Sequence, residues 1–345
     1  MTVEIQSVTG PISSADLGLT LMHEHILVDA RSAWRKPSVK DDLKTQVAFA
    51  PVTMDVLGAI RVDPYLSLDN MLLDDIALAA SEVAHFATAG GRTIVEQTPE
   101  GLGRDPQGLR RVSELTGVQI IMGAGFYLER AHPEFVSGFG IDEVREHIVR
   151  DLLEGVNGIR AGIIGEIAIG PEPLESEHRV LRGAIRAQRD TNVPLEIHLP
   201  AWKLRAHDAM DMLEIEGGDP TRTVLCHMNP TGNNLDYQRS VLERGAYIQY
   251  DMVGQELYFP GEGQCSSDVD DAQWIARLCE LGFQDQILIS SDVFTKNMLK
   301  HFGGYGYDHV PRVFSTRLAE FGVDSEMFQH LTVNNPRKLF EGTRS

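Results

Sequence analysis

The sequence predicts an α/β chain folded as a single (β/α)8 TIM barrel with extended loops at the C-terminal face of the sheet. Three observations point there. Eight short apolar runs rich in β-branched residues alternate with longer amphipathic segments, the pattern of repeated βα units around a parallel sheet. No G-x-G-x-x-G turn follows the first run, where a nucleotide-binding doubly wound sheet would need one. Three long irregular stretches, 29–67, 252–268 and 293–310, all follow strands, which puts them at the end where barrel enzymes hold their substrates. A barrel with such loops fills 345 residues as one unit, so the expected domain is 1–345.

The first strand is expected at 19–27, where LTLMHEHIL is apolar at both faces before it meets its polar end. TIVEQT at 93–98 and VQIIMGAGF at 118–126 follow, each opened by a glycine-bearing turn. AGIIGEI at 161–167, PLEIH at 194–198 and TVLCH at 223–227 continue the series, and AYIQYD at 246–251 and QILISSD at 286–292 complete it. Between the strands, 69–89 is expected to be helical, because Leu72, Ile76, Val83 and Phe86 recur on one face and Gly90-Gly91 supplies a stop. Trp274, Ile275, Leu278 and Leu281 form a similar stripe ahead of Gly282.

Composition narrows the function classes. The chain carries 31 basic and 50 acidic residues, a net charge of −19, which repels nucleic acid and anionic membrane surfaces. That field also slows capture of an anionic substrate unless a local group of Lys and Arg offsets it. The opening MTVEIQSVTGP has no basic, apolar leader character and no run of 18 apolar residues occurs, so a cytoplasmic protein working on a small molecule is expected. The three cysteines lack metal-type spacing and read as reduced thiols. Cys279 lies beside a helix stripe as a small hydrophobe, and strand alternation is expected to turn Cys226 away from its neighbour His227 and toward a helix.

The chemistry gathers at strand ends. His23 and His25 are two apart on the first strand and so share a face. Glu166, His198, His227 and Asp292 end the fourth, fifth, sixth and eighth strands, and a closed barrel brings such ends to one axis. Imidazole and carboxylate donors without thiolate suit an open catalytic site for Zn²⁺, Mn²⁺, Co²⁺ or Fe²⁺. Six donors exceed what one tetrahedral ion needs, so two divalent cations sharing a carboxylate, with Glu166 as the bridge, is the economical count. Such a pair would generate a bridging hydroxide, with Asp292 as its proton acceptor. Among the other histidines, His85, His147, His178, His207 and His330 read as surface groups, and His132, His301 and His309 as loop-stabilising ones.

GLTLMHEHILVD, GIIGEI, LEIHLP, LCHMNP, ISSDVF and TVNNPRKLF, in this order over nearly the whole chain, resemble the phosphotriesterase-related family of the amidohydrolase superfamily. The resemblance implies a (β/α)8 barrel with a binuclear, usually zinc, centre that hydrolyses phosphotriesters, lactones, other esters or amides. It would put His23, His25 and Asp292 on the more buried ion, His198 and His227 on the other, and Glu166 between them. It also makes Tyr127 an aromatic wall of the substrate pocket and implies a homodimer. Two departures bear on substrate. Glu166 stands where phosphotriesterases proper carry a carboxylated lysine, as in the homology-group members of the family. Asp251 is followed by Met252, and His227-Met228 by Asn229-Pro230, so the proton relay of those enzymes is missing. A carboxylic ester, lactone or amide is therefore expected ahead of an organophosphate triester, with a non-catalytic ligand-binding barrel as the competing class. Trp34, Gln255, Lys296 and Tyr305, on C-face loops, are further candidates for substrate contact.

Overall fold

A computed structural model describes residues 2–37 and 42–342. Its centre is a ring of eight parallel strands: β1 (Leu19–Glu24), β2 (Gly91–Glu96), β3 (Gln119–Ala124), β4 (Ile163–Ala168), β5 (Leu195–His198), β6 (Thr223–Leu225), β7 (Tyr247–Tyr250) and β8 (Ile287–Ile289). Each strand pairs with the next in chain order. The ends of β8 and β1 meet through His25 N donating to Val293 O and Asp292 N donating to His23 O, both at 3.2 Å. All eight expected strands are present, and the fold is the (β/α)8 barrel the sequence predicts.

The barrel interior is packed rather than hollow, as small barrels are. Met22, Val95, Ile121, Ile163, Val224, Tyr247 and Leu288 fill it, each nearly or fully buried. Ile5, Leu17, Leu339 and Phe340 join the same cluster from the N-terminal side. Ile5 comes from an antiparallel hairpin, Glu4–Ser7 with Gly10–Ser13, that docks on the strand starts through Val8 N to Ile120 O at 2.9 Å. Burying each large side chain is worth roughly 1.5–3 kcal/mol. A larger shell of Leu, Ile and Val residues packs the outer strand faces against the helices.

Two expectations need correction. The helix expected over 69–89 spans Ile76–Thr88, because Leu72–Leu73 pair as a short antiparallel strand with Val28–Asp29 and Asp75 caps the helix start. Cys226 does not turn outward to a helix; it lies in the barrel interior with its Sγ 3.6 Å from Glu196 Oε2. Along β6 the pleat runs Val224 inward, Leu225 outward and Cys226 inward. His227, which alternation alone would send outward, has φ of +58° and folds back toward the axis. The thiol and the imidazole therefore face the same interior.

The stretch after β1 carries two helices, Asp42–Phe49 and Met54–Val62, and its residues 38–41 lie outside the described ones. The stretch after β7 holds a small antiparallel pair, Tyr258–Phe259 with Gly263–Gln264. Among the described residues no helix is long and apolar enough to cross a membrane.

Candidate metal centre

The six donors read from the sequence meet at the C-terminal mouth of the barrel. Glu166 lies at their middle: its Oε2 is 2.6 Å from His198 Nδ1, 3.5 Å from His227 Nε2 and 3.7 Å from His23 Nε2. Its Oε1 is 3.6 Å from His25 Nε2. Asp292 Oδ1 stands 3.2 Å from His25 Nε2 and 3.8 Å from His23 Nε2, and His227 Nε2 is 2.7 Å from His198 Nδ1. Two subsets have all their nearest donor atoms within 4.8 Å of one another, His23 with His25 and Asp292, and His23 with Glu166 and His227.

Local backbone breaks put these side chains there. In β1 the ladder to β2 is irregular between Leu21 and Glu24, so Met22 and His23 both reach the interior although they are adjacent. In β4 the register to β5 shifts between Ile164 and Ile167, where Gly165 lets the chain pass close to Glu196 before Glu166 turns in. His227 and Asp292 have φ of +58° and +47°. Left-handed backbone at two such residues is uncommon and is concentrated at working sites. His198 alone follows the pleat, one step above Glu196 on the same face of β5.

Around the donors stands a set of groups that fixes each ring. Asp251 accepts from the backbone N of His227, at 3.0 Å to each oxygen, and lies 3.0 Å from His227 Nδ1, which keeps the proton on Nδ1 and leaves Nε2 as the donor. Thr98 does the same for His25: its hydroxyl donates to Glu96 Oε1 at 2.6 Å and sits 3.0 Å from His25 Nδ1. Glu24 accepts from Ser290 Oγ, Ser291 N and Val293 N, all at 2.8 Å, and so holds the segment that carries Asp292. Gln255 Nε2 donates to Asp292 Oδ2 at 3.3 Å and to Asp292 O at 2.9 Å. Sequence reasoning gave none of these but Gln255 a role. Asp251 and Thr98 also end strands, which was the one signal available for them.

Electrostatically the cluster is divided. Burial pushes His23 down to about 3 against the pull of Glu166 and Asp292. At His25 the same burial is outweighed by Asp292 and Glu166, and the ring is raised to about 9. Glu166 is held well below the usual carboxylate range despite burial, by His198, His227 and His23. Both ring nitrogens of His23 are buried and have no hydrogen-bond partner. An unpaired buried nitrogen costs roughly 1–3 kcal/mol. Nε2 points between the carboxylates of Glu166 and Asp292, an arrangement a divalent cation would satisfy.

Above the donors lies a cavity of about 420 Å³. Tyr65, Phe259, Phe294, Met252 and Trp202 line much of it, with the donor residues His25, Glu166, His198, His227 and Asp292 at its floor. Trp202 donates its indole N–H to Gln264 O at 2.8 Å and packs on Phe259. Tyr127, expected at the pocket wall, lines it with its hydroxyl 3.4 Å from His198 Nε2. Of the loop candidates, Gln255 lines the cavity, whereas Trp34, Lys296 and Tyr305 do not. Trp34 donates to Leu66 O, Lys296 pairs with Asp69 and Tyr305 donates to Ser291 O. His132 and His309 act as loop fasteners, at 2.8 Å from Tyr127 O and 2.6 Å from Asp268 Oδ2.

The phosphotriesterase family model matches residues 3–340. The chain belongs to the phosphotriesterase family. An N-acetyltaurine hydrolase of Tetraodon nigroviridis is 32% identical to it, with 97% of each chain covered. A phosphotriesterase-related protein of Nematostella vectensis is 33% identical over 96% of this chain and 97% of its own. Among solved structures, a resiniferatoxin-binding protein from Rhodobacter sphaeroides superposes with a TM-score of 0.95 at 44% identity, covering 98% of this chain and 94% of the other. As a member of the phosphotriesterase family the protein is a metal-dependent hydrolase, and the strand-end donors are its candidate ligands.

Proposed function

We propose that this family member hydrolyses an amide, ester or lactone bond of a small molecule at a binuclear centre held by His23, His25, Glu166, His198, His227 and Asp292. The convergence of all six donors on one point, with His23 Nε2 buried and unpaired among them, carries this reading. Two cations held there, zinc or another borderline divalent ion, would polarise the scissile carbonyl and acidify a water. The rest falls to the chain's own residues. Glu166 reaches all four imidazoles and so serves as the shared ligand. Asp292, steadied by Gln255, takes the proton from the attacking water and returns it to the departing nitrogen or oxygen as the acyl bond breaks. Tyr127, a phenol raised well above its ordinary value chiefly by burial, stays protonated and can donate to the acyl oxygen. The apolar walls keep bulk water from competing.

An N-acyl amide is favoured over a phosphotriester. Met252 follows Asp251 and lines the cavity where a relay histidine would be needed, and the curated relatives at 30–33% identity include several N-acetyltaurine hydrolases. Metal analysis together with turnover tests the proposal. His198→Ala and His227→Ala should each lose metal and nearly all activity. Asp292→Asn should keep at least one ion while kcat falls on the order of 10²–10⁴-fold. Fewer than about one tightly held ion per chain after supplementation with zinc, manganese or cobalt would remove the premise. A binding role has one observation in its favour, the name of the 44% identical neighbour. Saturable binding of resiniferatoxin without turnover of any acyl compound would select it.

A further inference from the structure

The cavity mouth is cationic in a protein whose net charge is −19. Arg35, Arg130 and Lys203 line it, against a single carboxylate above the floor, Glu262. Glu262 is taken by Arg35, whose Nη2 lies 2.8 Å from its Oε1. Arg130 and Lys203 are exposed and form no close ion pair with a carboxylate among the described residues, although Arg130 is near enough to Glu262 to favour its charge. Other surface arginines are mixed in this respect: Arg145 pairs with Asp190 and Arg244 with Asp211, both at 2.7 Å, whereas Arg61 is bonded to Gly303 O. What sets Arg130 and Lys203 apart is their place, at the entrance of a largely apolar cavity whose floor carries the candidate metal ligands.

Arg130 is also aimed. Its Cζ stands 6.0 Å from the centroid of the Tyr127 ring, and that ring's hydroxyl is the group beside His198. One aromatic ring therefore separates the guanidinium from the nearest candidate metal ligand. An acyl group whose carbonyl rests at the floor, by Tyr127, would bring a charged end on a short tether up under Arg130, with Lys203 on the rim beyond.

We infer that the substrate carries a carboxylate or sulfonate a short distance from its scissile acyl bond, and that Arg130 is the residue that selects it. This rests on the hydrolytic reading of the site. A planar guanidinium matches the oxygens of either anion, and the apolar walls around it strengthen the pairing relative to water. The local positive potential also offsets the field that would otherwise slow entry of an anion.

Matched probes test it. N-acetyltaurine and N-acetyl-β-alanine carry the anion, and N-acetylethanolamine replaces it with a hydroxyl. With metal-replete protein, Arg130→Gln should lower the anionic-to-neutral ratio of kcat/KM by about 10–100-fold, chiefly through KM. Arg130→Lys should recover part of the ratio, and Arg130→Glu should invert it. Arg111→Gln, at an exposed pair with Glu114 far from the cavity, is the control and should leave the ratio alone. Isothermal titration calorimetry on metal-replete Asp292→Asn protein, in which turnover is slow, gives a second readout, and adding Arg130→Gln there should weaken N-acetyltaurine binding at least about tenfold. A ratio that moves less than about twofold in Arg130→Gln, or a Kd above about 10 mM for both anionic probes in metal-replete protein with Arg130 intact, overturns the inference. Loss of turnover for all three probes with calorimetric selectivity intact would instead overturn the hydrolytic reading alone.

Discussion

At the scale of single residues, the donors were legible and their supports were not. His23, His25, Glu166, His198, His227 and Asp292 are chemically conspicuous and fall at the ends of apolar runs, so a barrel hypothesis gathers them at once. Thr98 and Asp251 hold His25 and His227 by their Nδ1 atoms, but a threonine or an aspartate at a strand end has many ordinary reasons to be there. Glu196, fully buried with Oε2 3.3 Å from His23 Nδ1, sits mid-strand in LEIH, where a carboxylate reads only as an interruption. Arg130 lies in an irregular segment whose direction no periodicity reveals. Removing either support has a defined expectation. Thr98→Val and Asp251→Asn should each weaken metal affinity about 10–100-fold while leaving the fold intact, as read by competition with a chelator and by unchanged far-UV circular dichroism.

At the scale of elements, the eight strands were visible because each is a short apolar run closed by polar residues. Their phase was not. Alternation predicts which face a side chain takes only while the pleat is regular, and β1, β4 and β6 each lose regularity at the end where the chemistry lies. For that reason alternation sends Cys226 to the wrong face, and the leucines of the short strand at Leu72–Leu73 read equally well as part of a helical stripe. The tight approach of β3 to β4 carries a prediction. A Cβ at Gly123 would collide with the carbonyl oxygen of Gly165, backbone that cannot move aside without shifting Glu166. Gly123→Ala should therefore destabilise the protein by about 1–3 kcal/mol, seen as a lower Tm, and should lower kcat as well.

At the scale of the whole molecule, the two ends of the chain are fastened together under the barrel. Glu341 accepts from Ser14 Oγ at 2.6 Å and from Arg337 Nε at 2.8 Å, joining the last helix to the segment after the N-terminal hairpin. The hairpin is not legible in the sequence, since strands of four residues carry too little pattern to identify. Burial works against the Glu341 charge, yet Ser14 and Arg337 hold its carboxyl below the usual range. A carboxyl lowered on folding stabilises fully above its unfolded value, about 4.3, and that contribution disappears as pH falls through the folded value. Glu341→Gln should thus lower stability by about 1 kcal/mol at pH 7 and by less at pH 3, measured by urea titration at both.

The three tryptophans are unequally placed: Trp202 lines the cavity, while Trp34 is turned to Leu66 O and Trp274 packs beneath Gly232. The enzyme therefore carries its own optical reporter. A compound entering the mouth should change the intrinsic emission saturably, and Trp202→Phe should abolish that change, which opens a route to screening colourless candidates before any reaction has been detected.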